Sequence, residues 1–175
     1  MNKTPDTILI IDFGSQYTQL IARRVRECMV FSIVKPNNIT INEIKNIKPK
    51  GIILTGGPES LTGNKKLKIT KDIFNLNIPI LGICYGMQLI ADYFHGKVSA
   101  STKKEFGHSV FQHKGSSKIF SSGNFKKKFD VWMSHSDNVT RLPKGFKCIG
   151  SSTNSKISAF SQEKDKIYGL QFHPE

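Results

Sequence analysis

Pro79-Ile80-Leu81-Gly82-Ile83-Cys84-Tyr85-Gly86-Met87-Gln88-Leu89-Ile90 decides the fold. Pro79 to Ile83 is an apolar run of strand length, and Met87 to Phe94 follows at once with helical spacing and a stop at Gly96. A buried strand passing directly into a helix is the local unit of an α/β fold. At the junction the residues read G-x-C-x-G, in which the glycines permit a tight strand-to-helix turn and the residue between them projects at the edge of the sheet. Cys84 holds that place, above a helix N-terminus that favours a thiolate. A buried structural thiol is the competing reading.

Working outward, the first half of the chain repeats this rhythm. Ile8 to Asp12 reads as a buried strand, with Gly14-Ser15 as a turn into a helix N-cap. The helix that follows carries Tyr17, Leu20, Ile21, Val25 and Cys28 on one apolar face. Met29 to Val34 reads as a second strand, Thr40 to Ile47 as a short helix, Gly51 to Thr55 as a third strand and Lys65 to Leu76 as another helix. Alternating strands and helices imply a parallel sheet with right-handed crossovers. Sites in such sheets form beyond the carboxyl ends of the strands, so Asp12-Phe13-Gly14, Gly56-Gly57-Pro58 and Cys84-Tyr85-Gly86 fall on one rim. From about Lys97 the pattern changes to short β-like runs, so the fold class is α/β: an open, mixed, mainly parallel sheet flanked by helices, with an antiparallel extension in the second half.

Composition narrows the function. The 175 residues suffice for one domain core without disulfides or metal staples. Twenty-six Lys+Arg against 13 Asp+Glu give a formal charge of +13, which raises the question of an anionic partner. Only 4 of the 26 are Arg, the residue that nucleic-acid readers favour, and 3 of those lie in one helical stretch. Phe125-Lys126-Lys127-Lys128-Phe129 is the best nucleic-acid candidate, with aromatics flanking a charge run, but isolated Lys runs are usually exposed faces and a solvated turn beside a strand is the favoured reading. No nucleic-acid partner is expected. No stretch approaches the ~18 apolar residues of a membrane span, and no secretory core precedes Ile8, so the expected setting is cytoplasmic, without a membrane partner. Cys28, Cys84 and Cys148 are odd in number and widely spaced, which points away from a disulfide framework or a zinc site.

A thiolate needs a base. His173 stands in Gln171-Phe172-His173-Pro174-Glu175, at the end of a β-like run that begins near Lys166. In an extended segment residues i and i+2 lie on the same side, roughly 6.6 Å apart, so Glu175 can hold the imidazole of His173. Nucleophile, base and orienter then follow in the order Cys84, His173, Glu175.

Gly-Ile-Cys-Tyr-Gly-Met-Gln at 82–88, Gly-Gly-Pro-Glu-Ser at 56–60 and Gln-Phe-His-Pro-Glu at 171–175 resemble the signatures of class I, triad-type glutamine amidotransferases. Gly14 to Glu27 and Trp132-Met133-Ser134-His135-Ser136-Asp137 further resemble the glutaminase part of the GMP synthase branch. The resemblance implies a flavodoxin-like fold and hydrolysis of glutamine to glutamate and ammonia through a thioester on Cys84. It implies an oxyanion hole built from the backbone N–H groups of Gly57 and Tyr85, and glutamine binding by Gln88, Ser134, Ser136 and Asp137. His135 is read as packing rather than as a second base, and Lys104-Glu105-Phe106-Gly107 receives no catalytic role. Ser136 stands where the family often has Gly.

The resemblance further implies that residues 1–175 form an amidotransferase domain short of its C-terminal edge. A synthetase (ATP pyrophosphatase) domain or subunit outside this chain would use the ammonia to aminate XMP to GMP, and the full-length protein would be a homodimer. No cofactor or metal is expected in this domain. The sequence has no G-x-x-x-x-G-K-[ST] loop, so ATP and Mg are expected in the synthetase partner. Two other readings keep the fold: a non-catalytic basic binding protein, and a glutaminase serving a different pathway.

Overall fold

The run Thr7-Ile8-Leu9-Ile10-Ile11-Asp12 forms strand β1 (Thr7–Asp12), with Leu9, Ile10 and Ile11 all fully buried. Apolar residues on both faces mark a strand covered from both sides, as parallel strands are. In the computed structural model, which describes residues 5–63, 66–114, 117–121 and 123–175, β1 pairs in parallel with β2 (Phe31–Pro36) and β3 (Gly51–Leu54). β3 pairs with β4 (Ile80–Ile83), and β4 with β9 (Ile167–Leu170), again in parallel. Helices α1 (Thr18–Glu27), α2 (Ile41–Ile47) and α3 (Tyr85–Tyr93) connect the first strands.

The second half adds β5 (Lys97–His113), the single turn α4 (Lys118–Ser121), β6 (Lys128–Arg141), β7 (Lys147–Ser152) and β8 (Ala159–Gln162). These strands pair antiparallel, giving one nine-stranded sheet in the order β2-β1-β3-β4-β9-β8-β7-β5-β6. The expected mixed sheet is therefore present. What periodicity did not reveal is the place of β9: the last strand of the chain inserts beside β4, in register Ile83↔Leu170. The residues that follow each strand, Cys84 and Gln171 to Glu175, thereby meet on the same rim.

Several local expectations need correction. The Lys65 to Leu76 helix is replaced by a short 3-10 turn at Lys71–Asn75, with Lys65 itself outside the described residues. The reason lies in the backbone carbonyls: Asn37 Nδ2 donates to Lys68 O at 3.1 Å and the Tyr85 hydroxyl to Leu67 O at 2.9 Å. Those side-chain bonds pull the carbonyls out of helical pairing while Leu67, Ile69 and Phe74 still pack on the core. In α1 the buried residues are Thr18, Ile21 and Ala22, whereas Cys28 is exposed. The turn before it is held mainly by Asp12, with Ser15 Oγ accepting from Tyr17 N alone: Asp12 Oδ1 accepts from Gly14 N at 2.8 Å, Ser15 N at 3.2 Å and Thr18 Oγ1 at 2.7 Å. β2 starts at Phe31, because Met29 has φ of 60° and breaks the extended run. Trp132 to Asp137, with the expected glutamine-binding residues Ser134, Ser136 and Asp137, lies inside strand β6. α2 follows expectation, with a capping box between Thr40 and Glu43.

The strand-to-helix junction leaves no room for side chains at its glycines. A Cβ on Gly86 would lie 2.3 Å from the Leu54 carbonyl oxygen, and one on Gly82 would lie 2.5 Å from the Gly86 carbonyl. Both obstacles are backbone atoms of β3 or of the junction itself, which no rotamer change relieves. Gly86→Ala is therefore expected to lower stability by roughly 4 kcal/mol or more, in the exceptional range for one substitution. Gly145→Ala, with positive φ but nothing within 4 Å of its Cβ, should cost only about 1–2 kcal/mol. Denaturant unfolding of the two variants checks this, and near-equal losses would contradict it.

Candidate active site

Cys84 sits one residue past β4 and one before α3, with φ 51° and ψ −104°. A positive φ at a residue with a side chain is strained. Three hydrogen bonds hold it: Cys84 N donates to Leu170 O at 2.7 Å, Gly86 N to Thr55 O at 3.1 Å, and Gln88 N to Cys84 O at 3.1 Å. The first ties the turn to β9, the second to the end of β3, and the third begins α3. Sγ therefore projects from the rim, donating to Ser134 O at 3.5 Å and accepting from Gln171 Nε2 at 3.7 Å. The residue is 5% exposed, whereas Cys28 is open to solvent and Cys148 is intermediate.

His173 reaches this sulfur because an isolated antiparallel bridge to Trp132 continues the edge of β9, with His173 N donating to Trp132 O at 2.9 Å. Its Nδ1 meets Glu175 Oε1 at 2.9 Å, the i, i+2 contact expected from the sequence. Both side chains are nearly buried, at 7% and 3% exposure. The Tyr17 ring packs over the imidazole with centroids 5.0 Å apart. Burial opposes charge on His173, but hydrogen bonding to Cys84 and then to Glu175, with the charges of both, outweighs it and pushes the pKa up to about 9. The imidazole is thus protonated at neutral pH.

A cavity of about 210 Å³ opens beside the sulfur, lined by Gly57, Cys84, Tyr85, Gln88, Ser134, Ser136 and Asp137 among others. All the residues expected to bind glutamine or its oxyanion meet there. Tyr85 opens α3, and N–H groups in a first helical turn lack intrahelical acceptors. Gln88 is buried and donates from Nε2 to Asp137 O at 2.9 Å and to Gln171 Oε1 at 3.4 Å. Asp137 does not offer a bare carboxylate: Ser60 Oγ donates to Oδ2, Thr62 Oγ1 to Oδ1 at 3.0 Å and Thr62 N to Oδ2 at 3.4 Å. Its charge stays on the cavity wall while its oxygens anchor the Gly57–Thr62 loop to β6. Ser136 falls where the β5–β6 register slips between Ala100 and Glu105, an irregularity that substitutes for the freedom of a Gly.

Other residues escaped the sequence reading. Gln171 bridges Gln88 and Cys84 from a fully buried position. Glu105 is buried and accepts from His135 Nε2 at 3.1 Å and from Ser152 Oγ at 3.3 Å. His135 itself is packed in the sheet, and burial lowers its pKa against the opposing pull of Glu105. No sequence signal pairs these groups, since 30 positions separate His135 from Glu105 and 77 separate Ser60 from Asp137. Among the described residues no cluster of His, Cys, Asp and Glu could hold a metal ion, and no helix is long and apolar enough to cross a membrane. The Arg cluster of α1 is engaged locally, with Arg23 and Arg24 on Glu27 at 2.9 Å. Phe129 packs against Phe111 and Phe125 rather than standing free beside the Lys run.

A Cys held at a strand-to-helix turn, a His–Glu pair facing it and a cavity of amino-acid size form a hydrolytic site of a known kind, and the family model for "Glutamine amidotransferase class-I" matches residues 9–175. The chain belongs to the class I glutamine amidotransferases. It is 51% identical over 168 residues to the GMP synthase [glutamine-hydrolyzing] of Campylobacter lari, covering 96% of this chain and 32% of that one. The enzyme of the same description from Bacillus mycoides is 48% identical over 175 residues, covering 100% and 34%. This chain therefore spans about a third of the length of these curated relatives. A solved structure from Thermoplasma acidophilum, described as that of a GMP synthase subunit, superimposes with a TM-score of 0.85 at 30% identity, covering 99% of this chain and 86% of that one. A glutamine amidotransferase from Thermotoga maritima, at 22% identity and a TM-score of 0.75, shares the fold.

In this amidotransferase the state of His173 is directly measurable. Because its folded pKa of about 9 lies above the ordinary value of 6.5, protonation stabilises the folded chain fully below about pH 6.5, and that contribution is lost as pH rises through about 9. Imidazole NMR is expected to place the His173 titration near 9, and Cys84→Ala or Glu175→Gln should each move it downward. A midpoint near 6.5 in the unaltered chain would contradict the site electrostatics.

Proposed function

We propose that this domain hydrolyses glutamine to glutamate and ammonia through a thioester on Cys84, and that the ammonia aminates XMP to GMP in a synthetase partner. The observation that carries the chemistry is the convergence of Cys84, His173 and Glu175 on the rim shared by β4 and β9, beside the 210 Å³ cavity. The branch assignment is supported by the identity to GMP synthases along nearly the whole chain.

Glutamine enters with its amino-acid end toward Asp137, Ser136 and Gln88 and its side-chain amide at Cys84. The sulfur attacks the amide carbon, forming a C–S bond and a tetrahedral oxyanion. The N–H groups of Gly57 and Tyr85 receive that charge; one such donor is typically worth about 10²–10³ in rate. His173, protonated at rest, gives its proton to the amide nitrogen, and the C–N bond breaks to release ammonia. Neutral His173 then takes a proton from water, whose oxygen attacks the thioester. The C–S bond breaks, glutamate leaves, and the sulfur–imidazolium pair is restored. Glu175 keeps Nδ1 bonded, so Nε2 is the nitrogen that moves the proton. ATP and Mg belong to the synthetase, a partner domain or subunit.

Assay of ammonia release with and without a synthetase partner, XMP and ATP tests both halves of the proposal. Activity should rise with the loaded partner, and Cys84→Ala should lose on the order of 10⁶-fold, the scale on which nucleophile removal acts. Undiminished release by Cys84→Ala would refute the nucleophile. Stimulation by a different synthetase but not by this one would refute the pathway.

A further inference from the structure

Cys84 lies between two cavities. Besides the 210 Å³ cavity there is a second, of about 300 Å³, lined by Gly14, Ser15, Gln16 and Tyr17 together with Cys84 and His173. The two share only Gly57, Pro58, Cys84 and Ser134, and their other walls differ. Of the two, Gln88, Ser136 and Asp137 line only the first, and His173 lines only the second. Around Gly56 the pieces converge: a Cβ built there would lie 3.2 Å from His173 Cε1, 3.6 Å from Cys84 Cβ and 3.7 Å from Ser15 Oγ.

We propose that the Gly14–Tyr17 cavity is the compartment through which ammonia leaves and hydrolytic water enters, with Ser15 and Tyr17 in its walls. The inference rests on the glutaminase reading above. It follows from where the proton donor stands. The nitrogen that takes a proton from His173 must be on the His173 side of the tetrahedral carbon when the C–N bond breaks; His173 also lines a larger cavity of about 660 Å³, but of these two only the 300 Å³ cavity reaches Cys84 as well. Water activated by the same imidazole must approach from the same side, because it replaces the departed nitrogen on the carbonyl carbon. The glutamyl portion stays in the first cavity throughout, bound to sulfur. At ~30 Å³ per water molecule the second cavity has room for roughly ten, more than one ammonia or one water requires.

The walls suit such traffic. Ser15 Oγ accepts from Tyr17 N at 3.1 Å, fixing the turn, and Tyr17 packs its ring on His173. Asp12 holds the same turn through the backbone N–H groups of Gly14 and Ser15. A side-chain change at Ser15 therefore leaves those two bonds in place. Neutral ammonia and water need no charged binding group, and no charged side chain other than His173 lines the cavity among the described residues.

Ser15→Leu narrows the compartment beside Cys84 and His173, and Ser15→Ala loses the same hydroxyl without narrowing it. With the synthetase partner present, Ser15→Leu should release glutamate on the order of 10²-fold more slowly, the scale of a ~1 Å misplacement of a reacting group. Ser15→Ala should fall well short of that loss, so that the difference between two variants lacking the same hydroxyl isolates the effect of added bulk. Calorimetric glutamine affinity, measured in the Cys84→Ala background, should be the same with and without Ser15→Leu. Unchanged turnover in Ser15→Leu, weakened glutamine binding, or an equal defect in Ser15→Ala would each overturn the compartment. Failure of the unaltered protein to hydrolyse glutamine would instead overturn the glutaminase reading on which it rests.

Discussion

The 2.7 Å hydrogen bond from Cys84 N to Leu170 O is the contact on which the rest of the site depends. It joins the end of β4 to the end of β9, strands separated by more than 80 residues of chain. Without the parallel pairing of these two strands Cys84 and His173 would have no fixed relation. With it, the residue after Ile83 and the third residue after Leu170 face one another across the rim. The same bond helps hold the positive φ of Cys84, a conformation that an isolated strand-to-helix junction would relax. Gly82 and Gly86 then follow as steric requirements of the packing against β3.

Two buried His–Glu pairs lie close together in this domain and differ in their electrostatics. His173 and His135 each have a carboxylate near 3 Å, and both are almost fully enclosed. His173 gains a second favourable partner in Cys84, and its pKa rises; His135 has no such partner, and burial prevails. The sulfur is therefore what separates the two imidazoles electrostatically. His135 links β6 through Glu105 to Ser152 of β7, and lines the cavity together with Ser134, Ser136 and Asp137 of the same strand. That framework gives β6 a fixed position without adding a second base.

What the sequence disclosed was local. G-x-C-x-G marks the place of its turn, and His173 and Glu175 are two positions apart in an extended run, so both were legible from short-range spacing. The strand-helix alternation of the first half was readable for the same reason, since each buried face is written at a period of 2 or 3.6. Contacts between distant segments left no comparable mark. Asp137 anchoring to Ser60 and Thr62, Glu105 with His135, and Gln171 against Cys84 all join segments that only the finished sheet brings together. The stretch after Lys65 failed for a related reason: its helical spacing was real, but long-range donors from Asn37 and Tyr85 claimed the carbonyls a helix would need. The charge of +13 likewise says little about the 210 Å³ cavity, whose lining includes Glu59 and Asp137 but no Lys or Arg among the described residues.

The central claim is that the sheet topology, rather than exposure, makes one thiol reactive. Three cysteines serve as their own controls: Cys28 is exposed, Cys148 intermediate and Cys84 buried at the turn. Peptide mapping after brief treatment with a glutamine-analogue electrophile such as diazo-oxo-norleucine, with and without glutamine, measures this directly. The account predicts modification of Cys84 alone, suppressed by glutamine. Modification of Cys28 ahead of Cys84, or labelling of Cys84 that glutamine does not protect, would contradict it.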